Sequence, residues 1–306
     1  MRFLTQLKER KLLLFDQAKK SETFKPDSVC IVGFEFDGTA CYRKGTKSGP
    51  DHLRQATYNI ETYSPYLQGN TETIKNLYDL GNLDLGSSED AKEQFNHANE
   101  HFYSFFKDLD LKKDNIKLIT LGGEHSISYA PIKKYLEAYP DLVLLHLDAH
   151  ADLRDGYEGY HYSHASIIRR VLDHFGKGHT LIQYGIRSGT QEEFEWMEEN
   201  KTRKNSHEEL LETLINLDSK RPIYLTLDLD YIDPAYLPGT GTPEAGGETF
   251  HSFIKMVKIL RDKNFVGADI TELAPVLDAT GNSDVFAAKV AREILLTLTQ
   301  GNKRNA

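Results

Sequence analysis

Short, nearly continuous apolar runs recur along the chain at residues 29–34, 116–121, 142–147, 180–186, 223–229 and 265–270, with amphipathic stretches such as 91–109 and 250–263 between them. Runs that stay apolar instead of alternating belong to strands covered on both faces, and the helical stretches supply the covers. The pattern predicts an α/β class protein with three layers, α/β/α, around a central, mostly parallel sheet. No repeat, low-complexity linker or composition break divides the chain, so residues 1–306 read as a single domain; residues 201–206 are a polar connection. At the amino terminus, charges flank the short apolar clusters of MRFLTQLKERKLLLFDQAKK, and residues 1–27 read as a helical extension on the surface.

The apolar pattern breaks at the strand ends. In LHLDAHAD, residues 145–152, polar side chains stand at every second position: His146, Asp148, His150 and Asp152. Alternate residues of a strand share one face, so these groups crowd together where the strand runs out. Buried carboxylates need a positive partner or a metal. Two more strands end alike, 116–121 in Gly122-Gly123-Glu124-His125 and 223–227 in Asp228-Leu229-Asp230. In parallel sheets ligands bind beyond the carboxyl ends of the strands. Singly, His125 could be a capping histidine and Asp228-x-Asp230 a solvated strand end; together the three ends predict a shared metal site.

Composition narrows the setting. With 39% hydrophobic and 27% charged residues the chain is neither a membrane protein nor disordered. A net charge of -9 offers no basic footprint for nucleic acid and is compatible with a cationic substrate. The two cysteines, Cys30 and Cys41, form no disulfide framework, and the first residues show neither a signal-peptide core nor a membrane span. A cytoplasmic location is expected, with no membrane partner.

The donor set sets the chemistry. Four aspartates and two histidines exceed what one tetrahedral zinc needs, and structural zinc sites favour cysteine. An oxygen-rich shell with imidazole suits two divalent cations, manganese first, with cobalt, nickel or iron as substitutes. Two such ions roughly 3.5 Å apart would hold and ionise a water, so the expected chemistry is hydrolysis. The glycine-rich segment 238–243 lacks the Gly-Lys-Ser/Thr of a phosphate loop and reads as a rigid wall of the metal site.

GGEHS at 122–126, DAHAD at 148–152 and DLDYIDPAYLPGTGTPEAGG at 228–247 resemble, in order, the three signature blocks of the ureohydrolases, the family of arginases, agmatinases and their relatives. The resemblance runs from about Gly33 to the C-terminal helix and implies an arginase-like fold. It implies that His125, Asp148, Asp152 and Asp228 bind one Mn2+ ion, and that Asp148, His150, Asp228 and Asp230 bind the other. Asp148 and Asp228 would bridge. His146 has no ligand role in that pattern and reads as a supporting or core residue. His164 matches the proton-shuttling histidine, with His161 as a nearby competitor, and Glu272 matches the carboxylate that faces a guanidinium. A histidine titrates near neutrality and a carboxylate pairs well with a planar cation, so both roles make physical sense. Asp152 would orient the attacking hydroxide.

Arg154, and Tyr184 to Gly189 as YGIRSG, stand where arginases carry groups for an α-amino acid, and both resemble the agmatinase branch. So does the block of Gly38, Thr39, Tyr42, Arg43, Gly45, Thr46, Gly49 and Pro50. The implied reaction is cleavage of a small guanidino substrate, agmatine, to urea and putrescine. Asp155 or Glu158 in the pocket wall would suit agmatine's distal amine, whereas an inward Arg154 would favour a carboxylate such as guanidinobutanoate. Guanidinopropanoate, arginine and formiminoglutamate are further alternatives. A metal-binding regulatory protein without turnover is the reading outside enzymes. The resemblance also implies a homo-oligomer, a trimer or hexamer.

Overall fold

A computed structural model describes residues 13–300. In chain order its strands are β1 (Lys19–Lys20), β2 (Ser28–Phe34), β3 (Tyr63–Ser64), β4 (Gly69–Asn70), β5 (Leu77–Asn82), β6 (Ile116–Gly122), β7 (Val143–Leu147), β8 (Thr180–Tyr184), β9 (Arg203–Lys204), β10 (Pro222–Asp228) and β11 (Asn264–Thr271). The helices are α1 (Gly49–Thr57), α2 (Ala91–Ser104), α3 (Tyr129–Ala138), α4 (Ile167–Leu172), α5 (Gln191–Asn200), α6 (His207–Asn216), α7 (Phe250–Leu260) and α8 (Asn282–Gln300). Nine strands form one sheet in the order β1-β5-β2-β6-β11-β10-β7-β8-β9, and every pairing in it is parallel; β3 and β4 make a separate antiparallel pair.

Alternation along the strands builds the layers. Val29, Ile31, Val143, Leu145 and Leu225 pack towards Leu53 of α1, Leu210 and Leu214 of α6, and the apolar faces of α7 and α8. Their neighbours Cys30, Val32, Leu144 and Tyr224 face the other way, onto Phe95 and Phe102 of α2, Ile132 of α3, Ile168 of α4 and Met197 of α5. Both faces of the central strands are thereby covered, which is why those strands carry almost no polar positions until their ends. The expected three-layer α/β/α architecture holds.

The helical extension is corrected where it can be seen. Residues 1–12 lie outside the described residues, and residues 13–27 contain no helix. Phe15 is buried in the core beside α1, its amide donates to Asp79 Oδ2 at 2.7 Å, and Lys19–Lys20 adds an edge strand to β5. Tertiary docking of one aromatic and a strand pairing outweigh the weak local helical preference.

A buried ion pair ties α1 to the sheet. Arg54 is fully buried and forks onto Asp79, Nε to Oδ2 at 2.8 Å and Nη2 to Oδ1 at 2.9 Å, while Nη1 reaches Asn82 Oδ1 at 2.5 Å. Removing one partner leaves the other charge buried without compensation, a loss of about 3–5 kcal/mol. Asp79→Ala is therefore expected to lower the denaturation midpoint strongly with little change in slope, and a midpoint equal to wild type would contradict this placement of the pair.

Candidate metal centre

The four central strands β6, β11, β10 and β7 end at one level. Ile270 pairs with Leu121, Asp228 with Thr271, and Leu227 with Leu147. Residues immediately beyond these pairs therefore meet at one edge. His125 opens a 3-10 turn, His125–Ser128, after β6; Asp148, His150 and Asp152 follow β7; Asp228 ends β10 and Asp230 follows it; Glu272 follows β11. Gly123 is what lets the first loop enter. A Cβ there would lie 1.9 Å from the Phe36 carbonyl oxygen, and the backbone bonds to Phe34 and Phe36 depend on that approach.

The side chains converge in two groups. His125, Asp148 and Asp152, with His146, form one set of mutually close donor atoms, and Asp148, His150 and Asp230 form the second. His125 Nδ1 lies 3.0 Å from Asp148 Oδ2, 3.1 Å from Asp152 Oδ2 and 3.5 Å from Asp228 Oδ2. His150 Nδ1 lies 2.9 Å from Asp230 Oδ2 and 3.6 Å from Asp148 Oδ1. Asp148 thus belongs to both groups. The sequence-predicted ligands are all brought together here.

The orientation of His125 shows what the site is built to hold. Thr226 Oγ1 donates to Asp269 Oδ1 at 2.7 Å, so it accepts from His125 Nε2–H at 2.8 Å. The Nδ1 lone pair is then aimed at three carboxylates. His125 Nδ1 and Asp230 Oδ2 are both buried with no hydrogen-bond partner. A lone pair and carboxylate oxygens pointing at one another require a cation between them, and an N/O donor set suits a divalent metal. The residues fit a pair of metal ions.

Beneath the ligands runs a polar row that the apolar runs concealed. Thr120, Asp269, Thr226, His146 and Gln183 sit side by side in register on β6, β11, β10, β7 and β8, and all are fully buried. Gln183 Nε2 donates to His146 Nδ1 at 3.2 Å, leaving His146 Nε2–H to donate to Asp148 Oδ2 at 2.8 Å. Burial depresses the His146 pKa, in keeping with a neutral imidazole that holds Asp148 in place. Gln183 is fixed in turn by Thr202 Oγ1 at 2.8 Å. Sequence reasoning gave His146 only a supporting place and missed Thr226, Asp269 and Gln183. Their one signal is a polar residue inside each run, level with His146.

Burial and mutual repulsion push most of the acids up. Asp152 rises to about 7 through burial and then Asp148, Asp228 rises through burial and then Asp230, and Glu272 through burial and then Glu124. Asp148 alone is driven down: burial opposes ionisation, but the adjoining imidazoles of His125, His146 and His150 outweigh it. His150 is carried against its burial to about 12 by Asp230 and Asp148. Asp152 and Glu272 also hold left-handed backbones, φ 54° and 64°, which cost non-glycine residues about 1–3 kcal/mol each.

A cleft of about 180 Å³ opens over these groups, lined by His125, His150, Asp152, Asp228, Glu272 and His164, with Arg154, Tyr157 and Cys41 also in its wall. Glu272 Oε1 is occupied by the His125 amide at 2.8 Å, which leaves Oε2 as the free oxygen. His164 has Nδ1 3.2 Å from Thr39 Oγ1, and burial, then His150, lowers its pKa to about 4. His161, the competitor, contacts Arg170 Nη1 instead and does not line the cleft. Asp155 is likewise bound to Arg170 Nη2, at 2.5 Å. Neither it nor Glu158 lines the cleft, whereas Glu193 does. Arg154 lines the wall with its guanidinium over the Tyr157 ring, 4.9 Å from the centroid.

A parallel α/β sheet with a buried carboxylate-imidazole cluster at its carboxyl edge defines a metal-binding enzyme. Comparison with family models matches residues 27–297 to the arginase family, and the chain belongs to that family. It is accordingly a hydrolase of amidino C–N bonds, a class in which two metal ions act together. Among its relatives, an agmatinase of Bacillus cereus is 39% identical over 285 residues, covering 91% of this chain and 94% of the relative. An agmatinase of Bacillus subtilis is 36% identical over 295 residues, covering 92% and 98%. The crystal structure of the agmatine ureohydrolase of Thermoplasma volcanium superposes with a TM-score of 0.75 at 29% identity, covering 93% of each chain.

Two outcomes follow from the site. Thr226→Val removes the acceptor that orients His125, and metal affinity is expected to fall about 10–100-fold by chelator competition; unchanged affinity would remove the row's role. Without metal, His125 and His150 are shifted towards the protonated form by their carboxylate partners, as Asp152 and Asp228 are by burial, and a bound cation must displace those protons. Metal loading near neutrality is therefore expected to release protons, and affinity to rise with pH. Calorimetry in buffers of different ionisation enthalpy checks the sign; zero proton release would contradict it.

Proposed function

We propose that the protein hydrolyses agmatine to urea and putrescine, using two Mn2+ ions held by His125, Asp148, Asp152 and Asp228 on one side and Asp148, His150, Asp228 and Asp230 on the other. The observation that carries this reading is the cleft in which Glu272 and His164 both face the convergent ligand cluster. When bound, divalent cations supply Lewis acidity and water ionised at neutral pH. The remaining steps belong to the chain. Glu272 Oε2 pairs with the planar guanidinium and sets its carbon over the cluster. Asp152 accepts a hydrogen bond from the attacking water and fixes its direction. Addition to the guanidinium carbon is followed by breakage of the bond to the alkyl-bearing nitrogen, whose proton is delivered by His164. Since His164 is neutral near pH 7, it must take up the proton it passes on.

A net charge of -9 supports a substrate with a cationic distal end; Glu193, the acid in the cleft wall, already accepts from the Leu153 and Thr190 amides, so its contribution is its charge and not a free oxygen. Arg154 in the same wall favours a second reading, a guanidino acid such as guanidinobutanoate, whose carboxylate it would meet. No helix of the described residues is long and apolar enough to cross a membrane. With only two cysteines, Cys41 free and exposed, a reducing cytoplasm suits the chain. The family resemblance supports one ureohydrolase domain assembled as a trimer or hexamer.

Urea release from agmatine, arginine, guanidinobutanoate and guanidinopropanoate, with formamide release from formiminoglutamate, tests the choice. Agmatine is expected to have the highest kcat/KM, and preference for a guanidino acid would transfer the assignment to the second reading. Binding without any turnover would make the protein a regulatory relative. His164→Ala is expected to keep its metal content and lose about 10²-fold or more in kcat; wild-type kcat would remove the relay.

A further inference from the structure

The hydroxyl of Thr39, buried in the loop after β2, is saturated by contacts that join Glu124 to His164. Its Oγ1 lies 2.5 Å from Glu124 Oε1, 3.2 Å from the backbone nitrogen of His164 and 3.2 Å from His164 Nδ1. Glu124 is wholly buried and accepts at both oxygens, from Ser126 Oγ at 2.6 Å on Oε1 and from the Thr39 amide at 2.7 Å on Oε2. A hydroxyl offers one proton and two lone pairs. The proton goes to Glu124 Oε1, by far the shortest of the three contacts; burial raises the Glu124 pKa to about 7, and in its ionised form this bond is charge-assisted. The lone pairs remain for two donors. One is the His164 amide, which can only donate; the other must be a protonated Nδ1. Nε2 is then the ring nitrogen without a proton, and it is the one left to the cleft that His164 lines.

We propose that Thr39 is a positioning residue for the reaction: anchored by Glu124, it selects the Nδ1–H tautomer of His164 and so leaves Nε2 bare to accept and pass on a proton. The inference rests on the reading that His164 relays the proton. Which nitrogen of an imidazole can react is set by the bond the other makes. Neither Thr39 nor Glu124 has to touch substrate for this. The arrangement also accounts for a buried carboxylate next to His125 whose hydrogen bonds come from two hydroxyls and an amide.

The test is a double-mutant cycle on the manganese-loaded enzyme. Thr39→Val is expected to lower kcat about tenfold or more, with KM and metal content near wild type, while Thr39→Ser, which keeps the hydroxyl, restores most of the rate. In a His164→Ala background Thr39→Val is expected to cost nothing further. Should Thr39→Val not fold, Thr39→Cys, with similar volume and a weaker acceptor, takes its place in the cycle. An equal loss of kcat in the presence and absence of His164, or a loss of bound metal, would make Thr39 a structural residue and overturn the proposal. If His164→Ala itself retained wild-type kcat, the relay reading would fail first, a result the single mutant distinguishes.

Discussion

Carboxylates that share a dry sheet edge repel one another, and that repulsion organises the centre of this protein. Asp148, Asp152, Asp228, Asp230 and Glu272 are all buried at the ends of adjacent strands. Desolvation and like charge raise several of them, and two imidazoles alone leave His125 Nδ1 and Asp230 Oδ2 without partners. Bound cations are the missing term: they convert an arrangement that costs stability into a binding site. A parallel sheet makes such crowding possible, because all its strands end on the same side and the last residues of non-consecutive strands become neighbours.

Direction is supplied one layer below. The in-register row of Thr120, Asp269, Thr226, His146 and Gln183 places hydrogen-bonding groups under the ligands without opening the core to water. It settles which nitrogen of His125 faces the carboxylates and holds Asp148 Oδ2 in place. A second set of bonds, from Glu124 through Thr39, orients His164 across the cleft. Two buried polar networks therefore hold two imidazoles in place, His125 within the carboxylate cluster and His164 in the wall of the cleft. Left-handed backbone at Asp152 and Glu272 completes the inward aim of their side chains and is tolerated because the surrounding strands hold it.

The central strands were legible because full burial on both faces writes an uninterrupted apolar run; 116–121 and 223–229 fall within a residue or so of β6 and β10. β5 was not, since Leu77–Asn82 alternates buried and half-buried residues near the sheet edge and includes a charged partner for Arg54. The two-residue strands β1 and β9 are too short to leave any period. At the site, the candidate ligands stood out as polar residues at the ends of three apolar runs, a coincidence that a shared site explains better than three separate caps. Thr226, Asp269 and Gln183 stayed hidden because single polar residues within apolar runs look like ordinary core positions until register aligns them. Asp155 and Glu158 were expected in the pocket wall, but Arg170 holds Asp155 and neither residue lines the cleft; the acid that does, Glu193, is distant in sequence.

The convergence of His125, Asp148, His150, Asp152, Asp228 and Asp230 fits a pair of cations. Anomalous diffraction at the manganese edge from crystals grown with excess manganese measures this most directly. Two peaks separated by about 3.5–4 Å are expected, one beside His125 and one beside His150, with Asp148 and Asp228 between them. A single peak, or none within reach of His125 Nδ1, would contradict a two-cation site.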